Sequence, residues 1–313
     1  MRGPLICPNV QAQRFEGSLS QAWPGPAATG FSAALVETPF PVERLYQVRP
    51  DLEKLKDAPL IIADPGWYDW VAVKRRAMAA GAHPLQAPNL SPSQLDYFSQ
   101  AVGEAFYQHH RNGPIGRDGA FPWIGGVRPD DGYEFFCALS LSLQEDIVLM
   151  IPNEQGELAA QFLSVCFASG WSPQEKIGMR FTEIHQPVAM NTALVRGALA
   201  MSRAMTQRGP FVRYVWTLAG NANRSRHPGE DSFKDARSFD DLWFRCERQV
   251  SIPLKGQGSL FLIRVFVERL SSVLNSGSRR SILIESLRSM GPDVIAYKGL
   301  GRALELALES VDG

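Results

Sequence analysis

The chain has 313 residues, 45% of them hydrophobic, and its 32 basic and 32 acidic side chains give a formal net charge of zero. Such a length with that apolar content suits one large domain or two modest ones around a substantial core. A zero balance with no block of like charges argues against a binder of nucleic acid or another polyanion, which needs a basic face.

Up to about residue 90 the chain reads as irregular, punctuated by "AWPGPAATG", "TPFPVERLYQVRP" and "IADPGWYDW", with one helix expected around Val71 to Ala80. "SPSQLDYFSQAVGEAFYQHH" is an amphipathic helix: Ser91 or Ser93 caps it, and Leu95, Phe98, Val102, Ala105 and Phe106 recur at three- and four-residue spacing before Asn112-Gly113-Pro114. "YEFFCALSLSLQEDIVLMIP" and "GELAAQFLSVCFAS" read as strands joined by the turn Asn153 to Gly156, an antiparallel hairpin. Met190 to Met205 is helical, with Ala193, Leu194, Gly197, Ala198, Met201 and Met205 on one face. Three further strands follow in "PFVRYVWTLAG", "LWFRCERQVSI" and "GSLFLIRVFVE", then helical segments near 268–274, 279–290 and 302–309. The expected architecture is α+β: a largely antiparallel sheet of about five strands, a helical connection inserted between its second and third strands, and flanking N- and C-terminal helices. Residues 1–115 read as an irregular and helical wrap on a core of residues 116–313, together one compact unit.

No run approaches the roughly 18 apolar residues of a spanning helix, and "MRGPLICPNVQAQRF" does not read as a signal peptide. No membrane association is expected. Cys7, Cys137, Cys166 and Cys246 are scattered without a C-x-x-C pair, which argues against a zinc ribbon or an iron–sulfur cluster and fits a cytoplasmic protein. There is also no Walker loop, G-x-G-x-x-G, H-E-x-x-H or G-x-S-x-G, so no Rossmann-bound dinucleotide is indicated.

The candidate chemistry lies in a few polar residues set in apolar surroundings. His109-His110 end a helix, where a cation favours the dipole; His83 and His227 each precede a proline in polar sequence and read as exposed. His185, in "EKIGMRFTEIHQPV", stands between Ile184 and Pro187-Val188, ahead of an apolar helix face; the pattern alone fits a buried histidine hydrogen-bonded in a turn. Arg213, Arg245, Arg248 and Arg264 fall within apolar strands, and each needs a carboxylate, a carbonyl or an anionic ligand. Glu247 is an internal partner for some of them, so a Glu–Arg network between strands and an anion site remain alternatives. Trp123, Trp171, Trp216 and Trp243 supply aromatic bulk, either as core or as the wall of a slot for a flat, doubly anionic molecule.

"SLQEDIVLM", "VCFASGWSPQEKIG", "IHQPV", "VRYVWTL", "RCERQ" and "AYKG", in this order from about Phe121 to Gly299, resemble the haem-dependent oxidative N-demethylase family, in its haem-carrying alpha subunit. The resemblance implies a PAS-like domain holding haem b through a histidine. It also implies oxidation of a secondary amine with dioxygen and with electrons from an external flavin or iron–sulfur reductase, releasing an aldehyde and a shorter amine. Carried onto this sequence, His185 becomes the iron ligand, with Cys166 as its rival. Arg213, Arg248 and Arg264 become partners of the haem propionates beside Trp216. Glu247 and Tyr297 become the groups that handle protons or position the amine. The chain departs from the family pattern at Ala168, where proline is common, at Val215, where asparagine is common, and at Ala189-Met190, where proline-glycine is common. Valine in place of an amide points to a larger or more apolar amine than the small dimethylated one. A haem-binding PAS sensor without turnover, and a haem-free relative that kept the fold, are the competing readings.

Overall fold

The structure, a computed structural model, describes residues 36–110, 113–226 and 228–312; "AWPGPAATG", Cys7, Asn112 and His227 lie outside them. The helices are α1 (Trp67–Ala79), α2 (Pro92–His109), α3 (Gly132–Ser142), α4 (Pro173–Lys176), α5 (Phe181–Ile184), α6 (Thr192–Gln207), α7 (Leu270–Val273), α8 (Gly277–Ser289), α9 (Pro292–Lys298) and α10 (Gly301–Asp312). The strands are β1 (Glu53–Lys54), β2 (Leu85–Gln86), β3 (Asp146–Pro152), β4 (Leu158–Ser164), β5 (Phe211–Ala219), β6 (Trp243–Leu254) and β7 (Gly258–Arg269). They form one antiparallel sheet in the order β1-β5-β6-β7-β3-β4-β2. The α+β class holds. The expected count of about five strands is corrected to seven, because two-residue segments of the irregular N-terminal region pair onto both edges of the five long strands.

A second correction concerns residues 133–142, expected as part of a strand but folded as α3. Every residue from Phe135 to Ser142 is buried, so the run carries no polar stripe and its period is invisible. Asp131 caps this helix by accepting the Glu134 amide at 3.0 Å. At Gly132 a Cβ would lie 2.4 Å from the Leu95 carbonyl carbon, so α3 starts directly against the backbone of α2. At its other end the fully buried Lys74 donates to the carbonyls of Ser140 (3.1 Å), Leu143 (3.0 Å) and Glu145. The predicted cap of α2 is present as a complete capping box on Ser91 and Gln94. In the β3–β4 hairpin, Asn153 accepts the Gln155 and Glu157 amides, and Gly156 takes φ 79.

The two faces of the sheet are covered differently. On one face, Val250, Ile252, Leu260 and Leu262 pack against α2 and α3. Phe244, Cys246 and Phe266 on the same face pack against α8, α9 and α10. Between these two layers runs the segment Pro59–Asp64. Arg248 holds it by donating to the carbonyls of Leu60 (3.0 Å) and Pro59, and Arg264 pairs with Asp64. Glu145 accepts the Ile62 amide and Gln144 accepts the Asp64 amide, each at 2.8 Å. On the opposite face α6 packs over β6 and β7, and its Met205 joins a cluster with residues of β3 and β4. That cover leaves Arg213, Val215, Thr217, Glu247, Gln249 and Val267 half-buried.

Two histidines depart from expectation. His110 accepts the Leu60 amide at Nε2 (3.0 Å), and burial, with His109 and Arg248 nearby, pushes its pKa down to about 4. It is a neutral acceptor, not a cation on the helix end. His83, expected to be exposed, is half-buried, and burial next to Lys74 brings it down to about 4 as well. Both take up a proton on unfolding, so their stability contribution is present above the unfolded value of 6.5 and is lost as pH falls toward 4. Asp146, raised by burial from 3.8 to about 6, has the opposite sign, because the folded chain keeps that proton longer. With three histidines, since His185 is lowered to about 4 as well, against one carboxylate, stability should fall by roughly 2 kcal/mol per pH unit from pH 6.5 to 4, after allowance for solvent screening. Urea unfolding at pH 7 and pH 5 measures it, and a higher midpoint at pH 5 refutes it.

Candidate functional site

Strand register decides which candidates share a surface. Arg213 pairs with Gln249, Val215 with Glu247 and Thr217 with Arg245. The same rows continue on β7 through Ile263, Val265 and Val267. Side chains alternate across a strand, so Arg213, Val215, Thr217, Glu247 and Gln249 line the half-covered face. Trp216, Arg248 and Arg264 fall on the other face and are buried there. Trp216 packs on Tyr46 and Phe244, with ring centroids at 6.2 and 6.1 Å. The structure thus brings Arg213 and Glu247 together and sets Arg248, Arg264 and Trp216 apart from them, in internal contacts.

Arg245 shares the half-covered face but is spent internally. It donates to the carbonyls of Arg224 (2.5 Å) and Phe167 (2.6 Å) and lies 3.4 Å from Glu247. Gln249 donates to the second Glu247 oxygen at 3.0 Å. Arg213 has no ion pair among the described residues, and its Nε is buried without a partner. Burial pulls its pKa down, while Asp51, Glu247 and Tyr46 work against that. The Thr217 hydroxyl nearby is also buried and unpaired. Buried donors of this kind are able to serve an ordered water or a ligand group.

His185 ends the short helix α5, whose first turn Glu183 caps by accepting the Arg180 amide at 2.8 Å. The ring stacks on Phe181, with centroids 4.1 Å apart, and Nδ1 lies 2.8 Å from the Phe181 carbonyl oxygen. A carbonyl only accepts, so Nδ1 carries the proton and Nε2 holds the free lone pair. Burial, then Arg213 and Lys176, lower its pKa to about 4 against the opposing carbonyl bond. The imidazole is therefore neutral, oriented and available at Nε2, in the electrostatic neighbourhood of Arg213.

Cys166 has the opposite character. Burial and the carboxylate of Asp146 push its thiol up to about 12. Asp146 accepts the Cys166 and Phe167 amides at 2.9 Å each, which fixes this segment as structure. A thiol so held is a poor metal ligand, because the thiolate is the ligating form.

Tyr297, in α9, is 49% exposed, and its pKa is raised by burial and by Glu247. Two neighbours were not singled out from the sequence. Tyr46 lies near Tyr297 and Arg213, with its hydroxyl pushed to about 12 chiefly by burial. Lys298 donates to the Trp216 carbonyl at 2.7 Å, with its ammonium 5.3 Å from the Tyr46 ring centroid and 5.6 Å from that of Trp216. Lys298 was signalled by "AYKG"; Tyr46, within "TPFPVERLYQVRP", had no signal.

Met190 has φ 58, a left-handed conformation, at the position where the resembling family carries glycine. The backbone that follows His185 therefore keeps a glycine-like turn while bearing a 64% exposed methionine. Met190→Gly should raise stability by about 1 kcal/mol, since a non-glycine residue in this region costs more than the added chain entropy of glycine. Equilibrium denaturation checks this, and a loss of stability would contradict it.

A separate cavity of about 140 Å³ lies by the β3–β4 hairpin, lined by Asn89, Leu90, Gln94, Ile151, Asn153 and Gln161, among others. It is too small for a macrocycle. Among the described residues no group of three or more His, Cys, Asp and Glu gathers to hold a bare metal ion, and no helix is long and apolar enough to cross a membrane. A family model described as "Haem-dependent oxidative N-demethylase, alpha subunit-like" matches residues 96–308. No curated protein matches the chain.

Proposed function

Because the chain belongs to the haem-dependent oxidative N-demethylase alpha-subunit-like family, we propose that it is a haem-dependent oxidase acting on a carbon–nitrogen bond of an amine, with dioxygen as oxidant and electrons from a partner reductase. The observation that carries this reading is the neutral His185 imidazole, its Nδ1 proton fixed on the Phe181 carbonyl and its Nε2 free. An outer-sphere carbonyl on the second nitrogen is the arrangement that orients a histidine ligand. The half-covered sheet face also suits the group chemically. Half-buried Val215 provides apolar surface for a flat ring system, and the unpaired Arg213 provides a cation for a propionate. Five long strands with a helical connection between the second and third support the PAS-like reading of the domain. Packing of residues such as Leu60 and Ile62 against both halves of the core supports treating the first 115 residues as a wrap on one compact unit.

Bound haem would supply dioxygen activation and the oxidising equivalents for the C–N bond. The residues of the chain would do the rest. Arg213 anchors the carboxylate edge; Arg248 and Arg264, expected in the same role, already hold the Pro59–Asp64 segment. Glu247 is a carboxylate beside valine side chains, so it would hold a cationic amine against an apolar surface. Its bonds to Arg245 and Gln249 keep it oriented. Tyr297, half exposed near Glu247, would pass protons between solvent and that carboxylate. Val215, paired with Glu247, favours a larger or more apolar amine.

The test is oxygen uptake by haem-loaded protein, supplied with electrons by a flavin reductase, on addition of secondary and tertiary amines. Amine-dependent uptake with aldehyde release supports the reading. Full haem loading with no amine-dependent uptake rejects turnover and leaves a haem-binding sensor.

A further inference from the structure

In the β3–β4 hairpin Met150 pairs with Ala160 and Leu149 with Phe162, so Gln161 is the extra residue of a β-bulge. A bulge re-aims a side chain, and Gln161 lines the cavity of about 140 Å³ between the hairpin and the start of α2. The residue is only 8% exposed, yet its amide group makes no hydrogen bond among the described residues. Two further carboxamides line the same cavity with their oxygens already taken. Gln94 Oε1 accepts the Ser91 amide (3.0 Å) and hydroxyl (2.9 Å). Asn153 Oδ1 accepts the amides of Gln155 and Glu157, each at 3.0 Å. A main-chain amide only donates, so each carboxamide must turn its oxygen to these bonds, and its NH2 group is the unpaired end. Asn89 adds a fourth amide at the exposed rim, and Leu90 and Ile151 add apolar wall from the face of the sheet that α2 and α3 cover. Among the described residues no charged side chain lines this space.

We propose that this cavity is a binding site for a small neutral carboxamide, separate from the half-covered sheet face and independent of haem. A carboxamide complements Gln161 in two parallel hydrogen bonds, giving its NH2 to the Gln161 oxygen and taking the Gln161 NH2 on its own oxygen. The second lone pair of that oxygen is left for the NH2 group of Gln94 or Asn153. A carboxylate has no donor for the Gln161 oxygen and would lose its water without gaining a cation. The Gln94 N–H in the first turn of α2 cannot replace one, because Ser91 engages it at 3.3 Å. A cavity of about 150 Å³ holds a six-membered ring, so the part of the ligand that enters has about five to eight non-hydrogen atoms.

Propanamide, propanoate and propanamidinium share one shape and differ in charge. Each is titrated into the full chain and followed by the side-chain NH2 resonances of Gln94, Asn153 and Gln161. Propanamide should shift all three saturably with a dissociation constant of about a millimolar to tens of millimolar, as suits so small a ligand, and both ions should bind at least about tenfold more weakly. Gln94→Glu and Asn153→Asp each keep the accepting oxygen of their local turn and exchange the NH2 donor for an acceptor. Both should unfold at a urea midpoint near that of wild type, weaken propanamide about tenfold and turn the preference toward propanamidinium. Gln161→Met keeps the volume and should also weaken propanamide about tenfold. Absence of saturable propanamide binding below about 0.1 M overturns the proposal. So does propanoate binding as tightly as the amide, or folded variants that bind the three probes as wild type does.

Discussion

Replacing His185 by alanine is expected to weaken haem binding by more than about a hundredfold, since loss of an outer-sphere partner alone typically costs ten- to a hundredfold. The side chain is half-buried at the end of a four-residue helix, and its ring packs mainly on Phe181. The fold should therefore survive the truncation, and exogenous imidazole should restore part of the ferric spectrum by occupying the space left by the ring. Cys166→Ala serves as the comparison. With its thiol pushed up to about 12, Cys166 should be silent, and its removal should leave the Soret band unchanged. Full haem content with an unaltered spectrum in His185→Ala would show that the iron ligand lies elsewhere in the chain.

The second large effect is on stability. Arg248 is 3% exposed and binds two consecutive carbonyls, those of Pro59 and Leu60, with a single guanidinium. Arg248→Met keeps much of the volume but leaves both carbonyls without these donors, in a layer between two apolar clusters. Each buried polar group left unpaired costs about 1–3 kcal/mol, so a loss of roughly 3 kcal/mol is expected, read as a lower urea midpoint at unchanged slope. Haem affinity measured well below the unfolding transition should not change, because residue 248 points away from the Arg213 face. A variant as stable as wild type but weakened in haem binding would return Arg248 to the anion site.

The difference between Arg213 and Arg248 illustrates how much of the site could be read from residue order. Both are arginines in apolar strands, and charge logic treats them alike: each requires an anion or a carbonyl. Their facing depends on register. A period of two places Arg213 with Gln249 on one side, and Tyr214 with Arg248 and Arg264 on the other. Which side is covered depends on segments more than a hundred residues away, such as Pro59–Asp64. The seven-stranded count was hidden for a similar reason. Two-residue edge strands form only because a sheet edge is available to pair with them, and they carry no pattern of their own. Residues 133–142 misled because burial on every side removes the polar half of a helical period.

Local information by itself determined the amphipathic helix at Pro92–His109 with its serine cap, the β3–β4 hairpin, the alternation of β6, and the family through six ordered motifs. These depend on propensity, capping and side-chain period, all of which act over a few residues. Tertiary structure alone decided that His185 is a neutral imidazole with Nε2 free, that Cys166 is an inert thiol, and that Arg213 and Lys298 stand without an ion pair among the described residues. Protonation state and pairing are set by burial and by neighbours distant in the chain, which become neighbours only when the sheet closes.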